Sequence, residues 1–256
     1  MLINTVLLFI GDALPVFLLV TLLLSVSDDT PQHLLHSFYS AFCISILAIY
    51  LVTLNLPRLS MSFDDYGVEL LHVLLLLLGY ISILGYSCLK TQFRPRLSFL
   101  TCTLALTSYA TTNGSSLPWF FMSHQNQFNN LQAIVIGSLL GIGICLSTAI
   151  LLHLTLQALQ RSQIASVLLC AFCAGQSAGG LALLQQVNLI EESPILWNTQ
   201  PFLADTSEIG QLLGALIGYD ASPNLNYVLV YIIAFSLLWL LPSYIQRRHP
   251  ISESSQ

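Results

Sequence analysis

Residues 2–26 read LINTVLLFIGDALPVFLLVTLLLSV, an apolar run in which one acid, Asp12, stands alone. At 1.5 Å of rise per residue a helix of this length crosses about 30 Å of hydrocarbon, so the run reads as a membrane span. It has no basic leader and no small-x-small cleavage pattern before Asp28, and is expected to be retained rather than removed as a signal peptide. Inside it lies Gly11-Asp12-Ala13-Leu14-Pro15-Val16-Phe17. Proline has no N–H and crowds the carbonyl four residues earlier, here that of Gly11, which sits on a residue free to reorient it. A carbonyl freed at membrane depth is tolerated only inside protein or beside a cavity. A lone carboxylate in a span is expensive and marks a functional-site hypothesis.

Outward from that segment the whole chain shares its character. Of 256 residues 55% are hydrophobic and 7% charged, with a mean hydropathy of +0.77. A soluble domain carries about a quarter charged residues, so lipid must be the main solvent and the length suits one helical bundle. Seven spans are expected, at about 3–27, 33–56, 66–89, 97–121, 131–158, 164–185 and 226–245. The fourth is the most polar. Between the last two, residues 186–225 hold Pro194, Pro201 and Pro223 and the pattern of a short amphipathic helix near Asp205–Ile217. The six cysteines all fall inside apolar runs and read as packing residues, the Cys170-x-x-Cys173 pair included.

Basic residues near span ends stay cytoplasmic. With seven spans Lys90, Arg94, Arg96, Arg161, Arg247 and Arg248 fall on one side and only Arg58 on the other. This puts the N-terminus outside and the C-terminus in the cytoplasm. Asp64, Asp65, Glu69, Glu191, Glu192, Asp205, Glu208 and Asp220 then lie at the outer face, where acids of one sign can collect cations.

The fourth span repeats the motif of the first as Gly114-Ser115-Ser116-Leu117-Pro118-Trp119-Phe120, so both read Gly-x-x-Leu-Pro-x-Phe. Spans three apart cross in opposite directions. That is the arrangement of a 3+3 inverted repeat, whose discontinuous helices mark a transport site. The expected organisation is a single membrane domain: 1–90 and 91–185 as the two repeats, 186–225 as an outer loop, 226–245 as a last span and 246–256 as a cytoplasmic tail.

The sequence resembles the high-affinity iron permease (oxidase-dependent iron transporter) family. The resemblance rests on Leu196-Trp197-Asn198, Asp205-Thr206-Ser207, Gly210, Leu212-Leu213-Gly214, Gly218-Tyr219 and Pro223 running into the last helix, and on the small-residue stretch Ala174–Leu181. It implies seven spans, an outside N-terminus and helices 1 and 4 as the functional pair. It also implies a plasma-membrane (bacterial inner-membrane) location and a periplasmic or extracellular metal-binding or oxidase partner. The family's Arg-Glu-x-x-Glu motifs become Gly11-Asp12-Ala13-Leu14-Pro15 and Gly114-Ser115-Ser116-Leu117-Pro118, and only Asp12 keeps an acid. Four carboxylates suit a hard trivalent ion, whereas one carboxylate with hydroxyls and carbonyls suits it poorly.

The sequence therefore predicts a non-enzymatic permease for iron or another metal cation. Its path runs through Asp12, Gly11, Pro15, Gly114, Ser115, Ser116 and Pro118. Asp12 is the central metal ligand. Glu69 and His72, one helical turn apart, and His124 at the end of the fourth span are further ligand candidates. His33, His36 and His153 leave room for an exit-site metal or a haem. No permanently bound cofactor is expected, only the transported ion. The expected partners include the lipid bilayer and no nucleic acid. The alternative is a transport-inactive accessory or assembly subunit of a metal-uptake system.

Overall fold

The computed structural model describes residues 2–27, 31–63, 66–90, 95–118, 128–159 and 162–248. Its helices are α1 (Leu2–Val26), α2 (Pro31–Ser60), α3 (Gly67–Lys90), α4 (Pro95–Gly114), α5 (Phe128–Leu159), α6 (Ser162–Gln186), α7 (Glu208–Ile217) and α8 (Leu225–Arg248). Among the described residues the only β pairing is an isolated antiparallel bridge between Ile195 and Asn224. Six helices (α1, α2, α3, α5, α6 and α8) are long and apolar enough to cross a membrane, the build of a multi-pass helical membrane protein. Their apolar cores, Ile3–Val26, His36–Ser60, Gly67–Leu89, Ile134–Leu159, Gln163–Gln186 and Leu225–Ile245, fall within a few residues of the expected spans.

α4 is not one of the six, because serine and threonine dilute its apolar surface. It nevertheless lies inside the bundle, packed on α3, α2 and α1. Thr103, Thr107, Ser108, Thr111 and Thr112 each donate to the carbonyl four residues back, at 2.7 to 3.0 Å. Hydroxyls satisfied within their own helix carry little desolvation penalty, so α4 can sit among apolar neighbours.

The core runs along one face of α1, through Leu14, Leu18, Leu19, Leu22 and Leu23. It meets Ile83 and Tyr86 of α3, Tyr109 of α4, Cys145 of α5 and Phe172 and Cys173 of α6. α1 packs chiefly on α5, α3 on α4, and α6 on α8. Gly141 of α5 lets α1 approach closely, since a Cβ there would stand 2.5 Å from Cβ of Phe9. Outward faces of α2 and α5 expose Leu47, Leu54, Leu139 and Leu151, an apolar surface suited to lipid.

The expected amphipathic helix forms as α7. Ser207 caps its N-terminus by accepting from the Gly210 N–H at 3.0 Å, and Gly218, at φ +69°, ends it in the left-handed conformation that glycine permits. Gly175 of α6 meets Gly218 backbone to backbone; a Cβ on Gly175 would lie 2.5 Å from Gly218 Cα. Leu212, Ala215 and Leu216 turn toward the core. The rest of 186–225 is tied down by Leu196 N–H to Pro223 O (3.0 Å), Thr199 N–H to Ala221 O (2.7 Å) and Tyr219 O–H to Leu203 O (2.9 Å).

Candidate functional site

The two copies of the Gly-x-x-Leu-Pro motif behave differently. α1 runs helically through Gly11 and Pro15, so the expected discontinuity of helix 1 is not observed. Its apolar flanks offer the backbone no alternative partner, and packing on α5 and the core holds the turn despite the missing bond. α4 stops at Gly114; Ser115 is a bend, and helical backbone resumes over Ser116–Pro118. There side chains compete for the backbone. Asn113 Nδ2 donates to Tyr109 O at 2.8 Å and Ser115 Oγ donates to Thr112 O at 3.0 Å, both in the last turn at the carbonyl end of the helix.

The interruption joins three helices. Ser116 Oγ donates to Asp12 Oδ2 of α1. Ser115 Oγ pairs with His72 Nε2 of α3 at 2.9 Å. With the Ser115 hydroxyl hydrogen given to Thr112 O, His72 Nε2 is the donor in that pair. One turn before His72, Glu69 carries a buried Oε2 with no hydrogen-bond partner among the described residues. A buried orphan carboxylate oxygen calls for a proton, a water or an ion. The order across the bundle is thus Asp12–Ser116 on one side of the bend and Ser115–His72 on the other, with Glu69 beyond.

Two cavities flank α1 at this level. One, of about 530 Å³, lies between α1, α2 and α4; Asp12, Gly114 and Leu117 line it with apolar side chains such as Val16, Phe42 and Ile49. The other, of about 370 Å³, lies between α1, α4, α6 and α7 and is lined by Gly11, Pro15, Asn113, Gln176, Gln211 and Gly214 among others. Gly11, whose carbonyl Pro15 cannot pair, lies in a helix segment facing this cavity, where a carbonyl freed at membrane depth can be tolerated.

The structure brings Asp12 to Ser116 as expected, but directs Ser115 to His72 rather than to Asp12. Asp12, Glu69 and His72 do not converge: among the described residues no three His, Cys, Asp or Glu side chains are placed to hold a metal ion. His124, Asp64, Asp65, Arg94 and Arg161 lie outside the described residues. His153 bridges Ser25 Oγ at 3.2 Å and Gln157 at 3.0 Å, which accounts for it as a link between α5 and α1. His36 is exposed. Two of the outer acids are turn anchors: Asp205 Oδ1 accepts from Ala221 N–H at 2.8 Å and Asp220 Oδ1 from Ser222 N–H at 2.9 Å. Cys170 and Cys173 are buried in the core as packing residues. Sequence reasoning did not single out Asn113, Gln176 and Gln211, which line the second cavity; a carboxamide in each of three different helices was the available signal.

No protein-family model, curated protein or solved structure matches the chain.

Proposed function

We propose that this protein is a membrane permease for a metal cation, iron or another, whose path runs between α1 and the interruption of α4. The observation that carries the reading is the Asp12–Ser116 hydrogen bond, which joins the one carboxylate of α1 to the bend of α4. A scaffold has no use for an acid, a helix break and two cavities at one level of a bundle, whereas an ion path needs all three. In this reading α4 is the seventh span, the halves 1–90 and 91–185 form an inverted repeat, and the N-terminus faces outward from a bacterial inner membrane. The iron-permease resemblance agrees with helices 1 and 4 as the working pair, with Asp12 replacing the family's glutamates. Gly11, Pro15, Gly114 and Pro118 shape the backbone of the path; Glu69 and His72 line its far side.

The second reading, a transport-inactive accessory subunit, is favoured by the absence of three converging ligand side chains among the described residues. Proteoliposomes decide between them. The permease reading expects protein-dependent uptake of Fe²⁺ or Mn²⁺ by the wild type. Uptake equal to that of empty vesicles for every metal tried would leave the accessory role.

A further inference from the structure

The cavity of about 530 Å³ exists because α2 packs on α4 and hardly touches α1. Its wall is one face of α1 between Asp12 and Val20, the facing side of α2 between Phe38 and Ile49, and part of α4. Phe17, Phe38, Tyr39 and Phe42 give it an aromatic lining. Ser45, also on the wall, is committed within its own helix, its Oγ donating to Ala41 O at 2.6 Å. Among the described residues that line the space, Asp12 alone carries a charge. Ser116 Oγ donates to its Oδ2, and Oδ1 has no hydrogen-bond partner among the described residues. A concave, mostly apolar and aromatic wall with one fixed polar group is the build of a site for a small organic molecule.

Shape and charge narrow that molecule. Asp12 and Val20 stand about 12 Å apart along the axis of α1, so the cavity is elongated with the carboxylate at one end. α2 and α4 close in at that end, where a Cβ on Gly114 would lie 2.8 Å from Ile49 Cδ1. Tyr39 and Phe42 are exposed on the helix whose outer surface suits lipid, so the cavity opens sideways toward the bilayer. A guest thus enters from the hydrocarbon and must itself be largely apolar. An anion is repelled by Asp12, and a bare metal ion finds no second ligand among hydrocarbon side chains. A single positive charge on an apolar body satisfies both parts of the wall.

We infer that this cavity binds an amphiphilic organic monocation, an ammonium group paired with Asp12 and an apolar tail lying between α1, α2 and α4. The ammonium donates to the carboxylate in surroundings with little water, where a charge-assisted hydrogen bond is strong. The tail is held by burial against the aromatic and aliphatic wall. Ser116 holds the carboxylate from the α4 side and so presents it to the guest. The inference goes beyond metal transport and does not rest on it: the site asks for one carboxylate and a hydrocarbon wall, and for no metal ligand besides.

The test is equilibrium dialysis of radiolabelled decylammonium against the full-length protein in lipid nanodiscs, without metal, with empty nanodiscs as the baseline for partition into lipid. An alkylammonium stays protonated at pH 7, as lysine does. The wild type is expected to bind it above that baseline and to prefer it to decanol, a neutral chain of the same length. Asp12→Asn should weaken decylammonium binding about 10- to 100-fold and abolish the preference, while decanol binding, unchanged, reports an intact cavity. Asp12→Glu, which keeps the charge, should keep the preference. Ala110→Leu, which narrows the cavity from α4, should weaken both ligands. No binding above empty nanodiscs, or amine binding indifferent to Asp12→Asn or to Ala110→Leu, would overturn the inference. Equal binding of decanol and amine by the wild type would also overturn it, leaving a groove filled by lipid chains. Metal flux in proteoliposomes separates the two proposals. Amine binding that depends on Asp12, without flux, sinks the permease and keeps the site. Flux without such binding sinks the site and keeps the permease.

Discussion

The first and fourth long helices carry the same motif, Gly-x-x-Leu-Pro-x-Phe, and fold it in two ways. Around Pro15 the helix continues; around Gly114 and Ser115 it breaks. Proline alone therefore does not decide. What differs is the company: Asp12, Ala13 and Leu14 offer α1 no local partner for its carbonyls, while Asn113, Ser115 and Ser116 donate to carbonyls in the last turn of α4. The positions of the prolines differ accordingly. Pro15 is interior to α1, whereas Pro118 follows the bend by three residues, in the first turn of the resumed helix, where a missing N–H is an orphan anyway.

This contrast can be broken by substitution. Pro15→Ala restores a bond to the Gly11 carbonyl and should raise stability by up to ~3 kcal/mol, against a change near zero for Pro118→Ala. Thermal unfolding of the two variants in the same lipid and detergent measures both. Equal gains would mean that the two helices are interrupted alike.

A second contrast of similar size compares one glycine of α5 with one of α1. Gly141→Ala places a Cβ 2.5 Å from that of Phe9 and should destabilise by about 1–3 kcal/mol. Gly11→Ala meets no atom within 4 Å and should stabilise α1, by up to about 1 kcal/mol. A destabilised Gly11→Ala protein would show that Gly11 needs backbone freedom that its helical conformation does not reveal.

The smallest expected difference lies across the bend itself. Ser115→Ala removes a neutral partner of His72 and should lower stability by about 1 kcal/mol. Ser116→Ala removes a donor to Asp12 and, with Asp12 ionised, should lower it by about 1.5–3 kcal/mol. If both variants lose the same amount, Asp12 is held as a neutral acid.

Much of the fold was legible because hydropathy and span length follow from the solvent. All six of the long apolar helices sit within a few residues of their expected places, and α7 forms where Asp205–Ile217 showed amphipathic spacing. The site was legible residue by residue, not pair by pair. Asp12, Ser115, Ser116 and His72 each stood out as polar groups in apolar surroundings. That Ser115 would face His72, and Ser116 Asp12, depends on the turn of the backbone at a bend whose direction no local pattern encodes. The carboxamide cavity assembles residues from α4, α6 and α7, which meet only through tertiary packing. Asp205 and Asp220 looked like surface acids because the backbone N–H groups they hold belong to turns closed by distant segments.

The central claim is that the Asp12–Ser116 crossing lies in the path of a cation, and metal uptake by proteoliposomes carrying Asp12→Asn tests it most directly. The side chain stays nearly isosteric and can still accept from Ser116, while its charge is gone. The account predicts folded protein whose Fe²⁺ or Mn²⁺ uptake falls about tenfold or more below wild type, the effect of ~1.4 kcal/mol on the rate-limiting barrier. Wild-type uptake left intact in Asp12→Asn would contradict it.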